Sequence, residues 1–558
     1  MRNGEDRNML SNRGGFFNPF LFRGACGDSS RLPKNESMRY NGYRPTYYTD
    51  LAEFKFIAPR CLDENLHPDQ RKGMHIGTLS RQPKVYREGQ EYNIFDFNDS
   101  TELPWPRRIY TWEQKSLLPP NFDFRFDRFH VYDIIENIEI ATGDDSSRFA
   151  NFIRPNGSVI TLLGLSACGK RVAVHVYGVN PYFYMDKDLV DRVCNISNNQ
   201  QLVSLMVESI KNSYINNGVG GRHSGDRGLN MKISQECFKI DVVYATNIYF
   251  FHSRPKLYYK ITTGSSRLCG YICDNFHPEI TKYEGNVDVI SRFILDNAGF
   301  ITFGWYRLRP GANGERVQLR SIDKYVTSSD VEINCTVDNL EALPNDDTWP
   351  DYKLLCFDIE CKAGTGTELA FPVATNQDDV VIQISCLIYS LATRKHELTL
   401  LFSLGSCDLP DSCLLGSTER GEPTPIILEF DSEFEMLIAF LTFIKQYSPE
   451  FATGYNIVNF DWAYIIEKLK SVYNIRLDGY GKFNRGGLFK VWDMGRVNFQ
   501  KRSKVKINGL VTLDMYTVAT EKLRLSSYKL NAVAEEALGE YKIDLPYKEI
   551  PPRKIAEP

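Results

Sequence analysis

Two acids one residue apart, Asp358 and Glu360, sit inside the apolar run Leu354-Leu-Cys-Phe-Asp-Ile-Glu-Cys361. Successive side chains of a β-strand alternate between faces, so both carboxylates emerge on one side. The flanking Leu354, Leu355 and Phe357 predict a strand set among other elements, where an acid is costly unless paired or bound to a cation. Two like charges side by side repel, and a divalent cation neutralises both; oxygen donors suit Mg²⁺ or Mn²⁺. A sparse carboxylate site of this kind supports two-metal hydrolysis of phosphodiesters. A third acid comes from Thr453-Gly-Tyr-Asn-Ile-Val-Asn-Phe-Asp461-Trp, where Asn456 and Asn459 suit a loop entering a helix and Asp461 falls in its first turn. The plainer alternatives are a solvated strand face for the first pair and a helix-dipole partner for Asp461.

A basic run, Gln500-Lys501-Arg502-Ser-Lys504-Val-Lys506-Ile-Asn508-Gly509-Leu, leads into an Asn-Gly turn signal and predicts a charged hairpin. Such a hairpin tracks a phosphate backbone or wedges between strands, unless it is simply a solvated face. Beyond it, Asp514 and Tyr516 are additional candidates, with Asp514 read as a structural acceptor sooner than as a site acid. Gly164-Leu-Ser-Ala-Cys-Gly169-Lys170 imitates a phosphate loop. However, Arg171 stands where Ser or Thr is required and a strand follows where a helix is needed, so it reads as a hairpin connection.

The elements that must position these residues follow from periodicity. Residues 121–132 alternate aromatic and polar side chains like a half-exposed strand, and further strands are predicted at 159–163, 171–177, 239–244 and 256–261. Residues 195–230, rich in Asn, Gly and Ser, read as a surface loop, and a helix is expected around 287–295. A linker at 342–350 precedes an α/β pattern with strands at 353–360, 380–389, 398–404, 426–430 and 451–455. Ser432-Glu-Phe-Glu435 is a capping box for an apolar helix, and a second helix begins near 460.

Length, at 558 residues, allows several domains; 42% hydrophobic and 24% charged residues are those of an ordinary globular chain. A net charge of −4 advertises no nucleic-acid partner, so any such site must be local. The 13 cysteines include no CxxC pair and read as reduced thiols. No secretory signal or membrane-spanning stretch is expected.

Phe357-Asp-Ile-Glu360, Gly454-Tyr-Asn456 and Phe460-Asp461 resemble the first two exonuclease motifs of family B DNA polymerases. Phe16-Phe-Asn-Pro-Phe20, Phe129-His-Val-Tyr-Asp133, Thr302-Phe-Gly-Trp-Tyr306 and Ser526-Ser-Tyr-Lys-Leu-Asn531 resemble the herpesvirus catalytic subunits of that family, the alphaherpesvirus branch above all. The resemblance implies an α+β / α/β multidomain chain: a partly disordered leader over 1–120, a β-rich N-terminal domain over 121–350, and an RNase H-like 3′→5′ exonuclease domain over 351–558. It implies two Mg²⁺ or Mn²⁺ ions on Asp358, Glu360 and Asp461. Asn456, Phe460 and the basic residues Lys501, Arg502, Lys504 and Lys506 would meet DNA, a primer-template or a single-stranded 3′ end. RNA is left open as a further ligand; viral replication proteins are the implied partners, and the host nucleus the implied location. The family's third exonuclease motif and its palm, fingers, thumb and processivity-factor contact are not found in residues 1–558. The chain alone is therefore expected to polymerise nothing and to cleave weakly or not at all. The alternatives are a self-standing exonuclease whose missing acid is Asp514 or Asp544, and a non-catalytic binding module acting through residues 1–350.

Overall fold

The computed structural model describes residues 84–87, 90–93, 105, 108, 128–137, 158–216, 235–247, 254–309, 317–364, 371–405, 423–430, 433–473, 475, 477, 480–483, 488–497 and 500–541. They fall into two compact units. One takes the described residues before 121 together with 321–330 and 349 onward; the other takes 122–320 and 331–348.

Strands β1 (Lys84–Arg87) and β2 (Gln90–Asn93) belong to the first unit. The second unit contains β3 (Arg128–Asn137), β4 (Val159–Ser166), β5 (Arg171–Tyr177), β6 (Tyr182–Asp186), helices α1 (Lys187–Cys194) and α2 (Asn199–Asn216), β7 (Phe238–Ala245), β8 (Lys256–Thr263), α3 (Ser266–Asn275), α4 (Val289–Leu295), β9 (Gly304–Leu308), β10 (Gln318–Leu319), β11 (Val331–Thr336) and β12 (Leu340–Ala342). It has a seven-stranded sheet, β10-β11-β5-β4-β3-β9-β12, and a three-stranded sheet, β6-β8-β7. β3 is not half-exposed: Phe129 through Ile135 are all buried, because β3 lies inside the sheet between β4 and β9. Residues 195–230 are not all surface loop, since α2 occupies much of them. Its Leu202, Val203, Met206, Val207 and Ile210 recur at helical spacing and are buried, an apolar stripe hidden among Asn, Gln and Ser. Ser166 to Arg171 make a tight connection between β4 and β5, with Gly169 at φ 82°.

The rest of the first unit is built from β13 (Lys353–Lys362), β14 (Val380–Ser390), β15 (Lys395–Leu404), β16 (Ile426–Phe430), α5 (Glu433–Tyr447), β17 (Phe451–Gly454), α6 (Asp461–Ser471), β18 (Phe489–Val497), β19 (Gln500–Ile507), β20 (Val511–Asp514), α7 (Met515–Lys522) and α8 (Leu530–Leu538). Its sheet runs β2-β1-β16-β15-β14-β13-β17-β20. β13, β14 and β15 are successively antiparallel, whereas β17 and β20 extend the sheet in parallel from β13. α5 is apolar around nearly its whole circumference, and every residue of it is buried. Phe357, Phe402, Phe440, Phe443 and Trp462 form the aromatic heart of this core. Ser432 of the expected capping box lies outside the described residues.

The described part of the expected leader is built into this unit. β1 pairs antiparallel with β16 and covers that sheet edge, which would otherwise present unpaired backbone groups. Trp105 is buried, its Nε1–H donating to Gln446 Oε1 at 2.7 Å. Arg108 reaches the fully buried Glu450 at 3.2 Å. Burial pushes the Glu450 carboxyl up, but Arg108 and Lys482 outweigh it and hold the group below the usual carboxylate range.

Candidate functional site

β13 alternates as its sequence requires. Leu355, Phe357, Ile359 and Cys361 point into the core, while Asp358 is exposed and Glu360 half-buried on the other face. The parallel ladder to β17 covers Leu354 to Cys356 and then stops. Past its end, the Ile359 N–H donates to Asp461 Oδ1 at 3.0 Å, so the first residue of α6 takes over as partner and is pinned against the acid-bearing strand. Asp461 is 1% exposed. Burial first, and the neighbouring Asp358 charge second, push its carboxyl up to about 8. Two carboxylates are thus coupled in a setting that penalises their joint ionisation, the donor chemistry that a hard divalent cation relieves. Glu360 shares the face of Asp358. Among the described residues, no three His, Cys, Asp or Glu side chains converge closely enough to hold an ion together.

The turn that delivers Asp461 depends on one close approach. A Cβ on Gly454 would lie 2.6 Å from the Phe357 carbonyl oxygen and collide with Ile457. Because Phe357 O is backbone of the acid-bearing strand, it cannot step aside. Gly454→Ala is therefore expected to cost about 1–3 kcal/mol, read as a lower denaturation midpoint, and to displace the 456–461 segment. Asn456 follows at φ 62°, a left-handed position that Asn tolerates better than most residues. Its Oδ1 accepts from Asn459 Nδ2 at 2.9 Å, and Asn459 Oδ1 in turn accepts from the Ser503 N–H of β19 at 2.8 Å.

Asp514 is the floor of this loop. Its buried carboxylate accepts from the N–H groups of Asn456 (2.8 Å), Val458 (3.0 Å) and Tyr516 (2.9 Å). Both oxygens are spent on backbone donors, which assigns Asp514 a structural task and argues against the alternative in which it supplies a missing site acid. Asp514→Asn keeps one acceptor and loses the other. It should lower stability by about 1–3 kcal/mol in thermal melts. Tyr516 packs edge-on against Tyr455 at 5.9 Å and does not join the acids.

The basic run forms the hairpin's second strand, but its turn is not Asn508-Gly509. β19 pairs back onto β18, and Asn508-Gly509, with Gly509 at φ 81°, carries the chain from this two-stranded sheet into β20 of the main sheet. The dipeptide marks a tight turn without saying which strands it joins. Lys504 is exposed and Lys506 half-buried on β19, whereas the side chains of Lys501 and Arg502 lie outside the described residues. Phe460, half-buried, precedes Asp461 directly, and Asp544 is outside the described residues.

Sequence reasoning missed the polar support beneath the site. Lys468 of α6 and Glu433 of α5 form an ion pair at 3.6 Å with both side chains fully buried. Glu433 also accepts from the Val381 N–H at 2.7 Å and from Tyr473 Oη. Lys468 donates to Asn376 O at 2.7 Å and to Asp379 O. Single polar residues on two separate helices leave no pattern by which either could be matched to the other.

The mixed sheet sets the acids of one strand beside an acid at a helix start, and comparison with known families shows which class of protein carries this arrangement. Residues 280–533 match the exonuclease domain of DNA polymerase family B, and residues 36–119 match the alphaherpesvirus DNA polymerase N-terminal domain. The DNA polymerase catalytic subunit of equine herpesvirus 1 (strain Ab4p) is 60% identical over 552 residues, 97% of this chain and 45% of that protein. That of varicella-zoster virus (strain Dumas) is 54% identical over 543 residues, with the same coverage. The structure of the family B DNA polymerase from the hyperthermophilic archaeon Pyrobaculum calidifontis is a remote likeness, with a TM-score of 0.45 at 15% identity over 76% of this chain and 41% of that one. The chain belongs to the herpesvirus DNA polymerase catalytic subunit family. It spans less than half the length of the curated relatives it matches. Among the described residues, no helix is long and apolar enough to cross a membrane.

Proposed function

We propose that the first unit is the 3′→5′ proofreading exonuclease of a viral replicative DNA polymerase. The observation that carries this reading is the buried Asp461 carboxylate coupled to Asp358 across the end of β13. The strand order of the sheet supports an RNase H-like fold. Counting β13, β14, β15, β17 and β20 as strands one to five, they lie 3-2-1-4-5 with only the second antiparallel to the rest.

The family resemblance implies two divalent ions, Mg²⁺ or Mn²⁺; of the three acids, Asp358 and Asp461 already stand together and would hold the first, whereas Glu360, on the face of Asp358, would have to swing in to join them. When bound, the ions supply an activated water and stabilise the departing 3′-oxygen of a phosphodiester. The chain's own contribution is placement: the Ile359 N–H fixes Asp461, Asp514 fixes the loop before it, and Asn459 ties that loop to β19. Burial and the Asp358 charge favour the protonated form of Asp461 in the ion-free site, and ion binding there would require that proton to leave. Lys504 and Lys506 of β19 would attract the phosphate backbone and help part a frayed primer end from its template. DNA synthesis is proposed for the whole protein because its relatives are DNA polymerase catalytic subunits; viral replication proteins as partners and action in the host nucleus are proposed from the family resemblance alone.

Trimming of a 3′-labelled single strand tests the reading. Mn²⁺-dependent trimming, lost in Asp358→Ala, is the expected outcome. Trimming that survives Asp358→Ala would sink the assignment.

A further inference from the structure

Helix α3 of the second unit carries Cys269 and Cys273 one turn apart, on the same face. Their thiols are hydrogen-bonded to each other, and Thr263 also bonds Cys269. Cys269 is buried in the core beneath the three-stranded sheet, whereas Cys273 is half-buried and packs against that core. Gly285 makes room for the outer sulfur, because a Cβ there would lie 2.5 Å from Cys273 Sγ. Two cations act on the pair, Arg292 on Cys269 and Lys282 on Cys273. The hydrogen bond from Cys273, helped by Thr263 and Arg292 against the effect of burial, holds the Cys269 thiol below its usual range. The same bond, together with burial, pushes Cys273 up. Cys269 is thus the sulfur that gives up its proton first, with a second thiol already in contact to resolve whatever it forms.

We infer that Cys269 and Cys273 form a reversible dithiol–disulfide switch, closed by hydrogen peroxide. The Cys269 thiolate attacks one peroxide oxygen, and the O–O bond breaks. The departing hydroxide takes the Cys273 proton and leaves as water. Cys273, now a thiolate, attacks the sulfenic sulfur of Cys269. The S–S bond forms, the S–O bond breaks, and hydroxide leaves to be protonated by solvent. Two electrons have passed from the sulfurs to the peroxide.

Closing that bond has a structural cost. Residues four apart on a helix hold their Cβ atoms about 5–6 Å apart, whereas a disulfide needs about 3.5–4.5 Å. The last turn of α3 must therefore open. Phe276 closes this turn, its N–H donating to Ile272 O at 3.0 Å, and Lys282 ties Phe276 O and His277 O to the loop that follows. Further along that loop, Tyr283 and Tyr184 of β6 exchange backbone hydrogen bonds at 2.9 and 3.0 Å. Oxidation loosens the loop from β6, and reduction restores it.

The test treats the full chain with hydrogen peroxide, blocks the remaining thiols by alkylation, and reads the peptide holding both cysteines by mass spectrometry. In wild type this peptide should lose both thiol hydrogens and regain them in dithiothreitol. The Phe276 and Tyr283 amides, hydrogen-bonded in the reduced chain, should lose their protection from hydrogen exchange on oxidation. Cys273→Ser should stop at a sulfenic acid on Cys269, trapped by dimedone, and Cys269→Ser should leave Cys273 reduced. A wild-type pair that stays reduced, or that is oxidised without an S–S bond, overturns the proposal. A disulfide that leaves both amides as protected as before overturns the switch as well, since the turn would not have opened.

Discussion

Asp358→Ala is expected to reduce divalent-ion-dependent trimming of a single strand by about 10²–10³-fold, the scale on which enzymes lose rate when one charge-stabilising group at the reacting centre is removed. Asp358 stands on the open face of β13, away from the packed side, so its removal leaves the core of Leu355, Phe357 and Ile359 intact. It also removes the like charge that helps raise the Asp461 carboxyl. The ion-free variant should therefore be as stable as wild type or slightly more so in thermal melts at pH 7. Wild type should gain stability on adding Mn²⁺, and the variant should not. Loss of trimming accompanied by loss of folding would instead mark Asp358 as structural.

Lys468→Met carries the largest expected cost in stability, about 3–5 kcal/mol, because it leaves Glu433 buried with its charge uncompensated. In wild type, burial raises the Glu433 carboxyl and lowers the Lys468 ammonium, and their mutual attraction opposes both shifts. A carboxyl raised in the folded state contributes stability in full below its unfolded value, roughly 4.3, and loses it as pH rises through the folded value. Without Lys468 that folded value rises further. The deficit of Lys468→Met should therefore be small near pH 4 and grow toward neutrality. Glu433→Leu combined with Lys468→Met should recover much of the loss. Equal midpoints for Lys468→Met and wild type at pH 7 would show that the pair is not buried as described.

How much of this was legible beforehand depended on the reach of each signal. Asp358 and Glu360 could be read because strand alternation is a local rule, and Asp461 because a helix start announces itself within a few residues. α2 was concealed because its polar residues resemble a loop's and only the 202–210 spacing betrays a buried stripe. Asn508-Gly509 was legible as a turn, whereas its strand partners are set by sheet contacts far away in sequence. The Glu433–Lys468 pair and the Arg108–Glu450 pair join residues 35 and 342 positions apart, and chemistry alone cannot match such partners in one sequence.

Calorimetric titration of Mn²⁺ into the chain at pH 7, repeated in buffers of different ionisation enthalpy, tests the central claim most directly. With Asp461 held near 8, binding should release close to one proton, and both binding and proton release should vanish in Asp358→Ala and Asp461→Asn. Mn²⁺ bound with the same affinity and no proton release in wild type and both variants would contradict an ion site built on Asp358 and Asp461.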